Sequence, residues 1–126
     1  MLSNLEIAIQ YCEDILSNKT PSNLHIKLSC LRFLLDLKDD SYFYDADEVD
    51  TLVNFCQSFY LTEVQPLTLT ILQPWQVWII ANIYGLKSKE TLKRKYKLAN
   101  ISVARGNGKT QLCALLCFYE LLFGYD

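Results

Sequence analysis

The sequence predicts an α/β chain in which a mainly α-helical amino-terminal region leads into one strand, one glycine-containing loop and one further helix. Three observations predict it. Apolar residues recur at helical spacing in four stretches ahead of Gly85. Leu98–Ala104 is short and apolar, with β-branched Ile101 and Val103 between polar flanks, as a strand requires. Gly106–Asn107–Gly108 then separates this strand from a second helical pattern that starts near Lys109.

The elements follow in order. Ser3 with Glu6 three residues later is a capping-box pattern, and Leu5, Ala8, Cys12, Ile15 and Leu16 continue it as a first amphipathic helix up to Asn18–Lys19. Thr20, with Pro21 in the first turn, predicts a second helix to about Leu37, its apolar face formed by Ile26, Leu28, Leu31, Leu34 and Leu35. Lys38–Tyr44 reads as a loop. Asp45 with Glu48 opens a third helix, facing inward through Val49, Leu52, Val53, Cys56, Phe59 and Tyr60. Thr62–Thr70, with Pro66, reads as an irregular or briefly extended connector. Pro74 suits the first turn of a fourth helix, Trp75–Tyr84, with Gly85 as its left-handed cap. The last helix runs from about Lys109 to Phe123, with Leu112, Leu115, Leu116, Tyr119 and Phe123 on one face.

Bulk composition narrows the function. With 126 residues, 51% of them hydrophobic and 21% charged, the chain suits one globular core. No apolar run reaches the roughly 18 residues of a membrane span, and Glu6, Glu13 and Asp14 stand where a signal peptide would be basic and then apolar. A soluble protein of the cytoplasm, without membrane contact, is the expectation. Five cysteines without a CxxC pair, and His25 as the single histidine, speak against zinc. Cys113 and Cys117, four apart in an apolar helix, are expected to be small core hydrophobes.

Charge divides the chain in two. Residues 1–65 hold 4 basic and 11 acidic side chains, a net −7, whereas residues 66–126 hold 8 and 3, a net +5. The second part is therefore the one suited to phosphate. Its six cations Lys87, Lys89, Lys93, Arg94, Lys95 and Lys97 lie within 11 residues. DNA contact through Lys87–Lys97 is one reading, but with Tyr96 as the sole interleaved aromatic, an ordinary solvated loop outweighs it.

The chemistry concentrates at Val103–Thr110, VARGNGKT. A nucleoside triphosphate needs converging backbone N–H groups, a cation and a hydroxyl for magnesium. The backbone of Arg105, Gly106, Asn107 and Gly108 can curl around phosphate, Lys109 can reach the β- and γ-phosphates, and Thr110 can ligate Mg2+. Val103 stands where the general phosphate-loop pattern has glycine. Gln76 lies 33 residues before Lys109, and its amide offers the donor and acceptor that the N6/N7 edge of adenine requires. A glutamine at a helix start is, however, usually solvated, and Trp75 and Trp78 are more often packing anchors than base stackers.

Taken together, LQPWQVWIIANIYGL, the basic segment and NISVARGNGKTQLCALLCFYELL resemble the opening of the ATPase domain of bacteriophage large terminase subunits, the DNA-packaging motors. The resemblance covers Leu72 to Leu122 and, more loosely, the acidic helices before it. In that family the leading glycine of the loop is often replaced and an arginine precedes the last glycine by three residues, as Arg105 does here. It implies a helical region over 1–65, the start of a P-loop NTPase domain over 66–126, ATP and Mg2+ as cofactors, and other packaging-motor proteins as partners. No strand ending in Asp–Glu follows the loop, so the expectation is an amino-terminal piece that binds ATP without catalytic residues and does not hydrolyse it. The rival expectation is a non-catalytic interaction module with a vestigial loop. Small P-loop kinases are disfavoured by the helices ahead of the strand.

Overall fold

A computed structural model describes residues 2–61, 68, 69, 71–99, 101 and 109–123, with the backbone alone for 60, 61, 68, 69 and 109–111. The described residues are mainly helical: α1 (Asn4–Leu16), α2 (Leu24–Leu37), α3 (Ala46–Gln57), α4 (Pro74–Ile80) and α5 (Lys109–Phe123). Four short strands, β1 (Tyr42–Tyr44), β2 (Tyr60–Leu61), β3 (Thr68–Leu69) and β4 (Leu86–Ser88), form two antiparallel pairs, β1 with β4 and β2 with β3. No helix among the described residues is long and apolar enough to cross a membrane.

Helix starts follow local chemistry. Ser3 Oγ accepts from Glu6 N–H at 3.1 Å while Glu6 Oε1 accepts from Ser3 N–H at 3.3 Å, closing the expected capping box of α1. Asp45 Oδ1 accepts from Glu48 N–H at 3.2 Å and starts α3 where expected. α2 starts later than the Thr20–Pro21 signal predicts. Its cap is Asn23, whose Oδ1 accepts from Ile26 N–H at 2.9 Å. An Asx side chain within hydrogen-bond reach of a free N–H outcompetes a proline that merely tolerates the first turn.

α4 is the shared wall of two apolar clusters. Val77 and Ile80 face Val49, Leu52, Leu112 and Leu115 of α3 and α5. Trp78 and Ala81 face Cys12, Ile15, Cys30 and Phe33 of α1 and α2. A helix apolar all round is one buried on both sides, and α4 meets that condition. Its last turn widens into a π-helical segment, Ala81–Gly85, where the Asn82 side-chain amide donates to Trp78 O at 2.9 Å.

Several expectations are corrected. Gly85 does not cap α4 in a left-handed conformation; it ends the π turn and passes into β4. Glycine is required there by close approach, because a Cβ would lie 2.6 Å from Tyr44 Cε1. The expected loop before α3 contains β1, which β4 pairs in the register Phe43 to Lys87. α2 turns inward through Cys30, Phe33 and Asp36, whereas Leu28, Leu31 and Leu35 of its expected core face are exposed. Cys113 and Cys117 are exposed on α5 rather than core residues. Of the expected strand Leu98–Ala104, Leu98, Ala99 and Ile101 carry no strand pairing, and its other residues lie outside those described.

Candidate functional site

The residues expected to cradle phosphate, Arg105, Gly106, Asn107 and Gly108, lie outside the described residues. Lys109 and Thr110 are the first two residues of α5, a helix of 15 residues. Leu112, Leu115 and Tyr119 lock α5 into the core beside α3 and α4. Phe55 adds edge-on ring contacts to Phe118, Tyr119 and Phe123 at centroid distances of 5.8, 5.6 and 5.9 Å. The amino-terminal end of this helix, where free N–H groups and the helix dipole favour an anion, thus belongs to a packed element and directly follows Gly108 in the chain.

Gln76 is buried in the first turn of α4. Its Oε1 accepts from Gln73 N–H at 2.8 Å, so it satisfies one of the helix's own free donors. A carbonyl oxygen carries a second lone pair, and among the described residues no partner occupies the Gln76 amide nitrogen. This capping role differs from the expected adenine contact, and its sequence signal is Gln76 at the third position of a Pro-initiated helix.

The basic stretch is divided by its partners. Lys87 Nζ contacts Asp45 Oδ2 at 2.6 Å and also pairs with Glu48. Arg94 contacts Glu120 Oε1 at 2.9 Å and Glu48 Oε1 at 3.5 Å, with its guanidinium 4.3 Å from the Tyr84 ring centroid. Lys95 Nζ contacts Asp36 Oδ1 at 2.6 Å, and Tyr96 Oη donates to Asp36 Oδ2 at 2.5 Å. Three of the six cations are therefore tethers that join β4 and the segment after it to α2, α3 and α5. Lys89, Lys93 and Lys97 stay exposed.

The electrostatics follow from those contacts. Burial pushes the Asp45 carboxyl up, but the hydrogen bonds from Lys87 and from the N–H groups of Glu48 and Asp47 outweigh it and hold it below its usual range. Burial lowers Lys87, Arg94 and Lys95, yet their carboxylate partners leave all three above their ordinary values. Burial and the Glu120 hydrogen bond push the Tyr84 phenol up.

A cavity of about 500 Å3 opens between α1, α2 and α4, and the sequence reading did not anticipate it. Tyr11, Trp75, Trp78 and Tyr96 line it together with Arg32 and Asn82. Tyr11 and Trp78 lie with ring centroids 5.3 Å apart, Arg32 stands 4.6 Å from the Tyr96 centroid, and Arg32 donates to Asn82 Oδ1 at 3.0 Å. Trp78 Nε1 is buried with no hydrogen-bond partner. Leu98, Ala99 and Ile101, which lead into the glycine loop, close one side. Gln76 is not part of the lining. Among the described residues no group of His, Cys, Asp or Glu could hold a metal ion. No family model, no curated protein and no solved structure matches the chain.

Proposed function

We propose that the chain is a nucleotide-binding module of the kind found at the start of a terminase-type packaging ATPase, taking ATP with Mg2+ through Arg105–Thr110. The observation that supports the reading most is the start of α5 at Lys109, immediately after the glycines, on a helix fixed in the core. Phosphate at that end would meet the helix N–H groups, the Lys109 charge would neutralise it, and the Thr110 hydroxyl would supply one magnesium ligand beside the phosphate oxygens. The donor set fits that role, since a magnesium ion in such sites is held by one or two protein oxygens, phosphates and water rather than by a carboxylate cage. Bound ATP would contribute the phosphate charge; this chain's own residues would supply binding and orientation. Gln76 would add base preference through its free amide nitrogen and second carbonyl lone pair.

Calorimetric titration of the whole chain with ATP and GTP tests the reading. Lys109→Ala is expected to weaken both ligands alike, because phosphate contacts ignore the base. Gln76→Glu keeps the carbonyl-type acceptor that Gln73 N–H needs but removes the donor to adenine N7, so it separates the cap from base recognition. Its expected effect is loss of ATP preference at unchanged fold. Absence of any ATP binding at millimolar ligand overturns the proposal, and equal affinity of the wild type for ATP and GTP removes the adenine role of Gln76.

A further inference from the structure

α2 carries a second feature, independent of nucleotide binding. Its outer face exposes Leu24, Leu28, Leu31 and Leu35, at 66%, 54%, 45% and 58% of their accessible area. The spacing of four, three and four residues is that of the d and a positions of a heptad, the seam along which two helices pack. Four leucines on one such seam are an unusual amount of apolar surface to leave in water.

The rims of the seam decide what fits. In heptad terms the flanking g and e positions hold Lys27 and Leu34 on one side, and His25 and Arg32 on the other. Lys38, exposed at the carboxyl cap, stands at the next d position and ends the leucine seam in a cation. Residues 1–65 contain four cations, Lys19, Lys27, Arg32 and Lys38, and three of them border these leucines in an otherwise acidic half. The one carboxylate within α2, Asp36, is buried and neutralised by Lys95 at 2.6 Å, so it adds no negative charge to the rim. Arg32 keeps 46% of its side chain exposed while bonded to Asn82 and 3.8 Å from Asp36. Lys27 donates to Asn18 at 2.5 Å. Asp39 lies past the cap and accepts from Ser41 N–H; Asp40 follows it.

A second copy is a poor occupant. A parallel pairing sets the g residue Lys27 of one copy against the e residue Arg32 of the other, five positions on. An antiparallel pairing of the same leucines sets Lys27 against Leu34 and His25 against Arg32. Neither pairing sets a carboxylate against Lys27 or Arg32, and the parallel one sets the two cations against each other.

We propose that the outer face of α2 docks an amphipathic helix of another protein whose apolar stripe is flanked on both sides by Asp or Glu. Leucines supply the buried area, Lys27 and Arg32 select the acidic rims, and Lys38 at the end of the seam helps set the register.

The test uses the full chain and a fluorescent synthetic helix with Leu at a and d and Glu at e and g, which its own charge prevents from self-pairing at neutral pH. A twin with Lys at e and g is the control. Anisotropy at low salt is expected to show the Glu peptide binding at least about tenfold more tightly than the Lys twin, with the difference shrinking as salt rises. Leu28→Ser with Leu31→Ser removes exposed side chains only, so circular dichroism should be unchanged while binding falls by more than about tenfold. Lys27→Glu should weaken the Glu peptide and strengthen the Lys twin. Equal binding of the two peptides, or full binding by the double-serine variant, overturns the proposal. So does sedimentation showing a wild-type dimer that the double-serine variant abolishes, which would make a second copy the occupant.

Discussion

α2 and α5 both leave apolar side chains in water, and they do so differently. On α2 the exposed residues form a narrow leucine seam bordered by Lys27, Arg32 and Lys38. On α5 the exposed set, among it Cys113, Cys117, Phe118, Leu121 and Leu122, wraps round the helix, and Glu120 is the single charged residue from Leu112 to Phe123. A seam with charged rims encodes one geometry and one kind of neighbour, as in a coiled coil. A helix apolar nearly all round encodes burial without specifying by what. The tethers differ too: Lys95 holds α2 through Asp36, while Arg94 holds α5 through Glu120.

The largest effect that sharpens this contrast lies inside α2. Phe33→Ala removes a fully buried ring and is expected to cost about 3–5 kcal/mol, whereas Leu31→Ala on the outer face should stay within about 0.5 kcal/mol. Urea unfolding of both variants measures the difference, and similar costs would mean that α2 has no free outer face. On α5 the expected gap is somewhat smaller. Tyr119→Ala should cost about 3 kcal/mol, while Leu121→Ala, 83% exposed in the wild type, should change stability by less than about 0.5 kcal/mol. A large cost at Leu121 would show that its side chain is covered in solution.

Alkaline pH separates the two tethers. The Lys95 pKa is raised on folding, so its contribution is complete below the ordinary lysine value, about 10.4, and is lost as pH rises through the folded value. Tyr96, pushed up by burial and by Asp36, is lost in the same direction. Arg94 stays charged throughout this range. Above about pH 10.4, hydrogen exchange should therefore accelerate in α2 before α5; simultaneous loosening would show that the tethers do not act separately. The smallest perturbation is thiol labelling. Under native conditions Cys113 and Cys117 should react with a disulfide reagent, while Cys12, Cys30 and Cys56 react only on unfolding. Burial pushes the Cys56 thiol up to about 11, which keeps it from forming the reactive thiolate near neutral pH. Rapid labelling of Cys30 would contradict the packing of α2 against α1.

The amino-acid sequence by itself determined where helices begin when the signal is local. Ser3 with Glu6, and Asp45 with Glu48, place the starts of α1 and α3 because a side chain and the N–H groups it satisfies lie three residues apart. The extent of α5 from Lys109 to Phe123 and its buried Leu112, Leu115 and Tyr119 were legible for the same reason, a helical period broken only by glycines. The glycine loop and Gln76 were legible as residue types; the cap that Gln76 makes for Gln73 emerged only with the fold. The tertiary structure alone decided the face of α2. Leucines occupy so much of its circumference that the period does not choose a side, and the choice rests on Phe33 and on Asp36, whose partners Lys95 and Tyr96 arrive from 59 and 60 residues away. Gly85 and the paired cations Lys87 and Arg94 follow the same logic: sequence spacing predicts contacts within a turn or two of helix, while the packing of distant segments decides which charges meet a carboxylate and which face water.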